Sequence, residues 1–133
     1  SQDSAPVISL RGVSRTFAAR GQPPFHALKA IDLDIPARQF VAILGKSGSG
    51  KSTLLNLIAG LDRASTGTID CAGSPIHGLG ESALAAWRAQ HVGIVFQFFQ
   101  LLPTLTACEN VMLATRSAVA LSVASVYRAT CRL

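Results

Sequence analysis

Gly45-Lys46-Ser47-Gly48-Ser49-Gly50-Lys51-Ser52 is the stretch on which the fold turns. A glycine, four free positions, a second glycine, a lysine and a hydroxyl residue stand in a row. Ordinary residue usage gives that pattern in well under ~1% of chains of this length. It becomes informative when a strand precedes it and a helix follows. Upstream, Phe40-Val41-Ala42-Ile43-Leu44 is a short continuous apolar run and predicts a strand covered on both faces. Downstream, residues 51–59 predict a helix with Leu54, Leu55 and Ile58 on one side and Gly60 as its stop. Gly45, Gly48 and Gly50 let the backbone come close to a ligand with no Cβ in the way. Successive N–H groups of such a loop converge on phosphate oxygens, and the helix start adds the positive end of its dipole. Lys51 supplies a point charge for the outer phosphates, and Ser52 a hydroxyl placed for Mg²⁺. A plain glycine-rich turn would account for the glycines but not for the Lys51-Ser52 pair. The stretch predicts a site for a nucleoside triphosphate.

Outward from the loop, residues 7–17 alternate weakly and run into the turn-like Gly21-Gln22-Pro23-Pro24. Residues 27–35 predict a strand, with Ile31, Leu33 and Ile35 pointing one way, Asp32 and Asp34 the other, and Pro36 ending it. Residues 65–71 predict a turn and strand, 73–80 a loop, 81–90 a helix carrying Leu84 and Trp87, and 92–96 a second buried strand. Thr106-Ala107-Cys108-Glu109 has the spacing of a capping box at the start of a helix over 107–114. Val119, Leu121 and Val123 alternate, and then the pattern breaks. The order of elements predicts an α/β fold: a strand–P-loop–helix core with an antiparallel β subdomain.

Composition narrows the function classes. At 133 residues the chain is long enough for one core. Its charged fraction is 14%, against an ordinary share of roughly 25%, and its hydrophobic fraction 49%. Such a balance excludes a disordered chain and predicts strands buried on both faces, or surfaces covered by other subunits. No apolar stretch approaches the ~20 residues that span a bilayer, and the first six residues lack the features of a signal peptide, so the reading is cytosolic. The net charge of +5 comes from scattered arginines without a basic run or interleaved aromatics, which argues for solvated charge rather than nucleic-acid binding. Cys71, Cys108 and Cys131 are an odd number without metal-ligand spacing and predict neither a disulfide framework nor a zinc site.

Two further stretches carry a family resemblance. The loop runs on through Thr53 to Leu54-Leu55-Asn56-Leu57-Ile58-Ala59-Gly60-Leu61-Asp62, with Ser65-Thr66-Gly67 following. Later come His91-Val92-Gly93-Ile94-Val95-Phe96-Gln97, Leu101-Leu102-Pro103-Thr104-Leu105-Thr106 and Glu109-Asn110-Val111. Together they closely resemble the nucleotide-binding subunit of ABC transporters, in the lipoprotein-release and macrolide-export branch, over residues 7–113. The resemblance implies an ATP-binding subunit that couples ATP binding and hydrolysis to transport. It implies ATP contacts from Gly45, Lys46, Ser47, Gly48, Ser49, Gly50, Lys51, Ser52 and Thr53, with Phe17 stacked on adenine in a position usually held by tyrosine. It also implies catalytic roles for Lys51 and Gln97, and Mg²⁺ held by Ser52 and Gln97. The implied partners are a transmembrane permease subunit and a second nucleotide-binding domain in a homodimer. The implied place is the cytoplasmic face of the cell membrane, and the apolar cluster Phe98, Phe99, Leu101 and Leu102 would lie toward the permease.

The family's remaining machinery has no counterpart in these residues. No Leu-Ser-Gly-Gly-Gln-like signature follows Gln97, no apolar strand ends in Asp-Glu, and His26, His77 and His91 all precede Gln97. The expectation is therefore that residues 1–114 are the N-terminal part of an ATP-binding domain, incomplete at the C-terminus. Residues 115–133 would be a tail of unclear structure, a truncation, a frame-shift or a partial gene model. Such a chain is expected to bind ATP without hydrolysing it and to expose a sheet edge that promotes aggregation. The alternative is a non-catalytic nucleotide-binding remnant with no transport role. A GTPase is disfavoured by the lack of an Asn-Lys-x-Asp motif. A small-molecule kinase would not need Gln97 followed by Leu-Pro-Thr-Leu-Thr.

Overall fold

The computed structural model describes residues 5–95, 102–115 and 119–122. The chain opens as an antiparallel hairpin of β1 (Pro6–Phe17) and β2 (Phe25–Pro36). Along β2 the expected alternation holds: Ile31, Leu33 and Ile35 pack against the core while Asp32 and Asp34 are exposed. On β1 the alternation slips after Leu10, and Val13 rather than Gly12 is the next buried side chain. The register jumps between Leu10 and Val13, Gly12 takes a φ of 58°, and its N–H donates to Asp32 Oδ1 at 2.8 Å. A bulge of this kind adds one residue and turns the next side chain back to the core. That extra residue is why β1 alternates only weakly in sequence. Beside it, the Arg11 guanidinium bonds Asp34 Oδ2 at 2.7 Å and holds that carboxyl below its ordinary range, with Ser9 adding to the effect.

The loop then leads into α1 (Lys51–Ile58). β3 (Thr66–Cys71) pairs with the other edge of β1, and β4 (Ser74–Pro75) pairs with β3, giving the spatial order β2-β1-β3-β4. Residues 73–80 are thus more than the predicted loop. They hold β4 and a 3₁₀ turn, Ile76–Gly78, that drives Ile76 into the core at 4% exposure. α2 (Glu81–His91) follows and runs directly into β5 (Val92–Val95). α3 (Ala107–Thr115) precedes β6 (Val119–Ser122), which lies parallel to β5 with Val92 opposite Val119.

The core forms where α1 meets the antiparallel sheet and α2. Leu54, Leu57 and Ile58 of α1 join Ile8, Leu10 and Val13 of β1, Ile69 and Cys71 of β3, and Leu84 and Trp87 of α2. Residues i, i+3 and i+4 make this stripe, so Leu57 enters the core and the predicted Leu55 is only partly buried. Each fully buried aliphatic side chain contributes about 1.5–3 kcal/mol. Burial pushes the Cys71 thiol up to about 11, so it behaves as an unreactive apolar filler. α1 stops as predicted at Gly60, whose φ is 71°. Gly60 N–H donates to Leu57 O at 3.1 Å and Leu61 N–H to Asn56 O at 2.9 Å, the paired bonds of a Schellman turn.

One predicted element is corrected. Residues 40–44 join no sheet among the described residues, and Phe40 is 99% and Leu44 77% exposed. A strand covered on both faces needs a parallel neighbour reached through a crossover, whereas a hairpin partner lies one turn away. Among the described residues parallel pairing is confined to β5 and β6.

Candidate functional site

The glycine-rich loop sits where residues 40–44 hand over to α1. Ser49 N–H donates to Lys46 O at 3.1 Å, which closes a tight turn. Gly50 is the N-cap, with a φ of 91° and no side-chain cap. Leu54 N–H reaches back to Gly50 O at 2.9 Å. A helix begun this way leaves its first N–H groups unpaired by side chains and pointing out of its end, where an anion is favoured. The loop is crowded at two of its glycines, by a serine side chain that can turn away at Gly45 and by fixed backbone at Gly50. A Cβ on Gly45 would lie 2.5 Å from Ser49 Oγ, and one on Gly50 would lie 2.6 Å from Ala27 O of β2.

Lys51 folds back over this loop. Its Nζ donates to Gly45 O at 2.8 Å and to Lys46 O at 2.6 Å, with Ser49 Oγ at 3.3 Å. These partners are neutral, and among the described residues no carboxylate pairs with the ammonium. Lys46, Ser47 and Ser52 are exposed, and Thr53, the third residue of α1, is half-buried. An exposed ammonium over a crowded glycine backbone at a helix start is a donor set that fits a polyphosphate. A hydroxyl at Ser52 beside it fits a hard cation that keeps most of its ligands as water and phosphate oxygen.

Phe17 ends β1, opposite Phe25 of β2, and is 41% exposed. The guanidinium carbon of Arg15 stands 4.5 Å from its ring centroid. Arg15 in turn bonds Asp62, just beyond α1, through Nε at 2.9 Å and Nη2 at 2.8 Å. Arg15 did not stand out in the sequence, and Asp62 did so only as the end of a family-like stretch, with no role attached to it. The two are 47 residues apart, and no local pattern announces such a contact.

Gln97 lies outside the described residues, as do Phe98, Phe99 and Leu101. The capping box beyond them forms as predicted. Thr106 N–H and its hydroxyl both reach Glu109 Oε2 at 2.8 Å, and Glu109 N–H returns to Thr106 Oγ1 at 3.3 Å. Accepting the backbone N–H of Thr106, and secondly its hydroxyl, holds the Glu109 carboxyl below its ordinary range. Asn110 folds the preceding turn onto α3 through Leu102 N–H, which donates to its Oδ1 at 2.9 Å, and through Nδ2 bonds to three carbonyls. Leu102, Val111 and Met112 stay exposed around it.

Comparison with known proteins converges on one family. The ABC transporter family model matches residues 28–131. The chain is 45% identical over 111 residues to the macrolide export ATP-binding/permease protein MacB of Nitrosomonas europaea, covering 84% of this chain and 17% of that protein. It is 43% identical over 105 residues to the lipoprotein-releasing system ATP-binding protein LolD of Chromohalobacter salexigens, covering 79% and 44%. Among solved structures, the dimeric form of MJ0796, described as a bacterial ABC transporter cassette, superposes with a TM-score of 0.71 at 42% identity, covering 80% of this chain and 45% of that one. The chain thus spans less than half the length of each of these proteins. No helix among the described residues is long and apolar enough to cross a membrane.

Proposed function

The chain belongs to the ABC transporter family, in its ATP-binding part, and from that premise we propose that it binds MgATP as part of a motor that drives a membrane permease. The observation that carries this reading is the Lys51 ammonium, held by neutral oxygens over the glycine loop with no carboxylate to neutralise it among the described residues. Residues 45–53 would cradle the triphosphate. The backbone N–H groups of the loop and of the first turn of α1 donate to phosphate oxygens, and Lys51 moves from its carbonyl partners to the outer phosphates. Exchanging neutral carbonyl acceptors for anionic phosphate oxygens brings opposite charges together and favours that exchange. Ser52, with Gln97, would hold Mg²⁺, which when bound neutralises charge on the outer phosphate oxygens. Phe17 offers an aromatic face for adenine, and phenylalanine keeps the stacking surface of the usual tyrosine.

The domain reading follows from the same assignments. Residues 1–114 act as the nucleotide-gripping part, and residues 115–133 have no role assigned to them. A permease subunit at the cytoplasmic face of the membrane and a second ATP-binding domain would be the partners. Holding phosphates is what these residues supply, and cleaving them calls for the signature run and the Asp-Glu strand that the 133 residues do not contain. The chain is therefore expected to bind ATP and to release no phosphate in steady state.

Equilibrium binding of ATP in the presence of Mg²⁺ tests this. Lys51→Ala should weaken binding by about 10- to 100-fold, the range of a lost charge-assisted contact, without changing the thermal melt. Equal affinity of the variant and the parent chain would sink the phosphate-loop assignment. Lys51-dependent turnover by the chain alone would overturn the expectation that it cannot hydrolyse ATP.

A further inference from the structure

The ring of Phe17 is not bare on both faces. The Arg15 guanidinium lies 4.5 Å from its centroid, inside the ~6 Å over which an aromatic face holds a cation. Arg15 does not float there. Its Nε and Nη2 grip the two oxygens of Asp62 at 2.9 and 2.8 Å, with the side chains 23% and 29% exposed. That planar two-pronged contact fixes the plane of the guanidinium, which a lysine could not reproduce. The loop carrying Asp62 is itself sewn to β1 around Arg15. Ser65 N–H donates to Ser14 O at 2.8 Å, and Thr16 N–H donates to Ser65 Oγ at 3.0 Å. α1 therefore has the glycine loop at one end and, just past the other, the carboxylate that steers the group lying on Phe17.

We propose that Arg15 and Asp62 are positioning residues that hold Phe17 as a one-sided platform and so fix where an adenine base stacks relative to the triphosphate. The proposal rests on the nucleotide-binding reading above. With the guanidinium on one face, the ring offers only the opposite face to a base. With Asp62 attached to the helix that starts at the phosphate loop, ring and loop are joined through one ion pair rather than through the hairpin alone. The base and the phosphates of one ligand must be met at a set spacing. A ring free to swing would lose much of the stacking contribution to immobilisation on binding.

Two ligands separate this role from a merely structural one: ATP and inorganic tripolyphosphate, each with Mg²⁺, bound at equilibrium to the full chain. Arg15→Ala and Asp62→Asn should each weaken ATP about three- to tenfold, the scale of a stacking contact, and leave tripolyphosphate affinity unchanged. Arg15→Lys, which keeps the charge and loses the fork, should recover only part of the ATP affinity. On a Phe17→Ala background, Arg15→Ala should add almost nothing. If Phe17→Ala weakens ATP while Arg15→Ala does not, the positioning role is wrong and the adenine platform stands. If Phe17→Ala changes nothing while Lys51→Ala removes both ligands, the platform and its positioning fail together and the phosphate loop stands. If Arg15→Ala and Arg15→Lys lose both ligands in parallel, the pair is a strut of the fold and the proposal is overturned.

Discussion

Residues 8–13 of β1 and residues 40–44 ahead of the glycine loop both carry large apolar side chains in a pattern that predicts a strand, and the molecule treats them oppositely. Ile8, Leu10 and Val13 are buried to 2% exposure or less, whereas Phe40 is 99% exposed. Hydrophobicity does not separate them, since the second run is the more continuous. What separates them is where the hydrogen-bonding partner lies. β1 finds β2 across a short turn and β3 on its other edge, so its ladder is closed on both sides. Residues 40–44 would need parallel neighbours, and the described residues bring none to them. An apolar strand is thus only as buried as its partners allow, and the glycine loop hangs from the less supported of the two segments.

Substitution should expose the contrast most sharply. Leu10→Ala is expected to cost about 2–5 kcal/mol of unfolding free energy in urea, because it opens a cavity under α1. Phe40→Ser should stay within about 0.5 kcal/mol and reduce self-association at a given concentration. Comparable losses for the two would mean that residues 40–44 are paired in solution after all.

A smaller difference is expected between two glycines in the left-handed region. Gly60→Ala would suffer both the backbone penalty of about 1–2 kcal/mol and a Cβ placed 3.0 Å from Leu84 Cδ1. Gly48, with a φ of 77°, meets nothing within 4 Å. Its alanine variant should carry the backbone penalty alone and show its main effect in ATP affinity. Chemical melts with and without nucleotide separate the two, and a Gly48 variant as destabilised as Gly60 would show that the loop is packed as tightly as the core.

The least effect is expected at the capping box. Thr106→Ala should lower the helical signal by a fraction of what α3 contributes, below either glycine effect. The Glu109 carboxyl is depressed in the folded chain, so its contribution is present above the ordinary carboxylate range and is lost as pH falls through the lower folded value. Circular dichroism from pH 6 to pH 2 should show the parent chain losing this part of its helicity with acid. Thr106→Ala should show a flatter profile.

These pairs also mark how far sequence reasoning reached. The alternation of Ile31, Leu33 and Ile35, the stop at Gly60 and the reciprocal bonds of Thr106 and Glu109 were legible because each is settled within a few residues by backbone geometry. The choice of Leu57 over Leu55 was not, because it depends on where β1, β3 and α2 stand around the helix. The Gly12 bulge was hidden for a similar reason. One extra residue shifts the period of β1, and only pairing with β2 and β3 shows where.

At the candidate site the same division holds. The row of residues from Gly45 to Ser52 by itself carries the proposed class of ligand, since three glycines, a lysine and a hydroxyl at a helix start suit a phosphate chain by local geometry alone. Family membership was equally legible, in stretches such as Leu54 to Asp62. Only the tertiary structure decided that residues 40–44 stand exposed and that Arg15 lies on Phe17 under the grip of Asp62. Those outcomes depend on residues tens of positions apart meeting in space. A short-range pattern constrains the dihedrals of its own segment, but not which distant segment arrives to cover it.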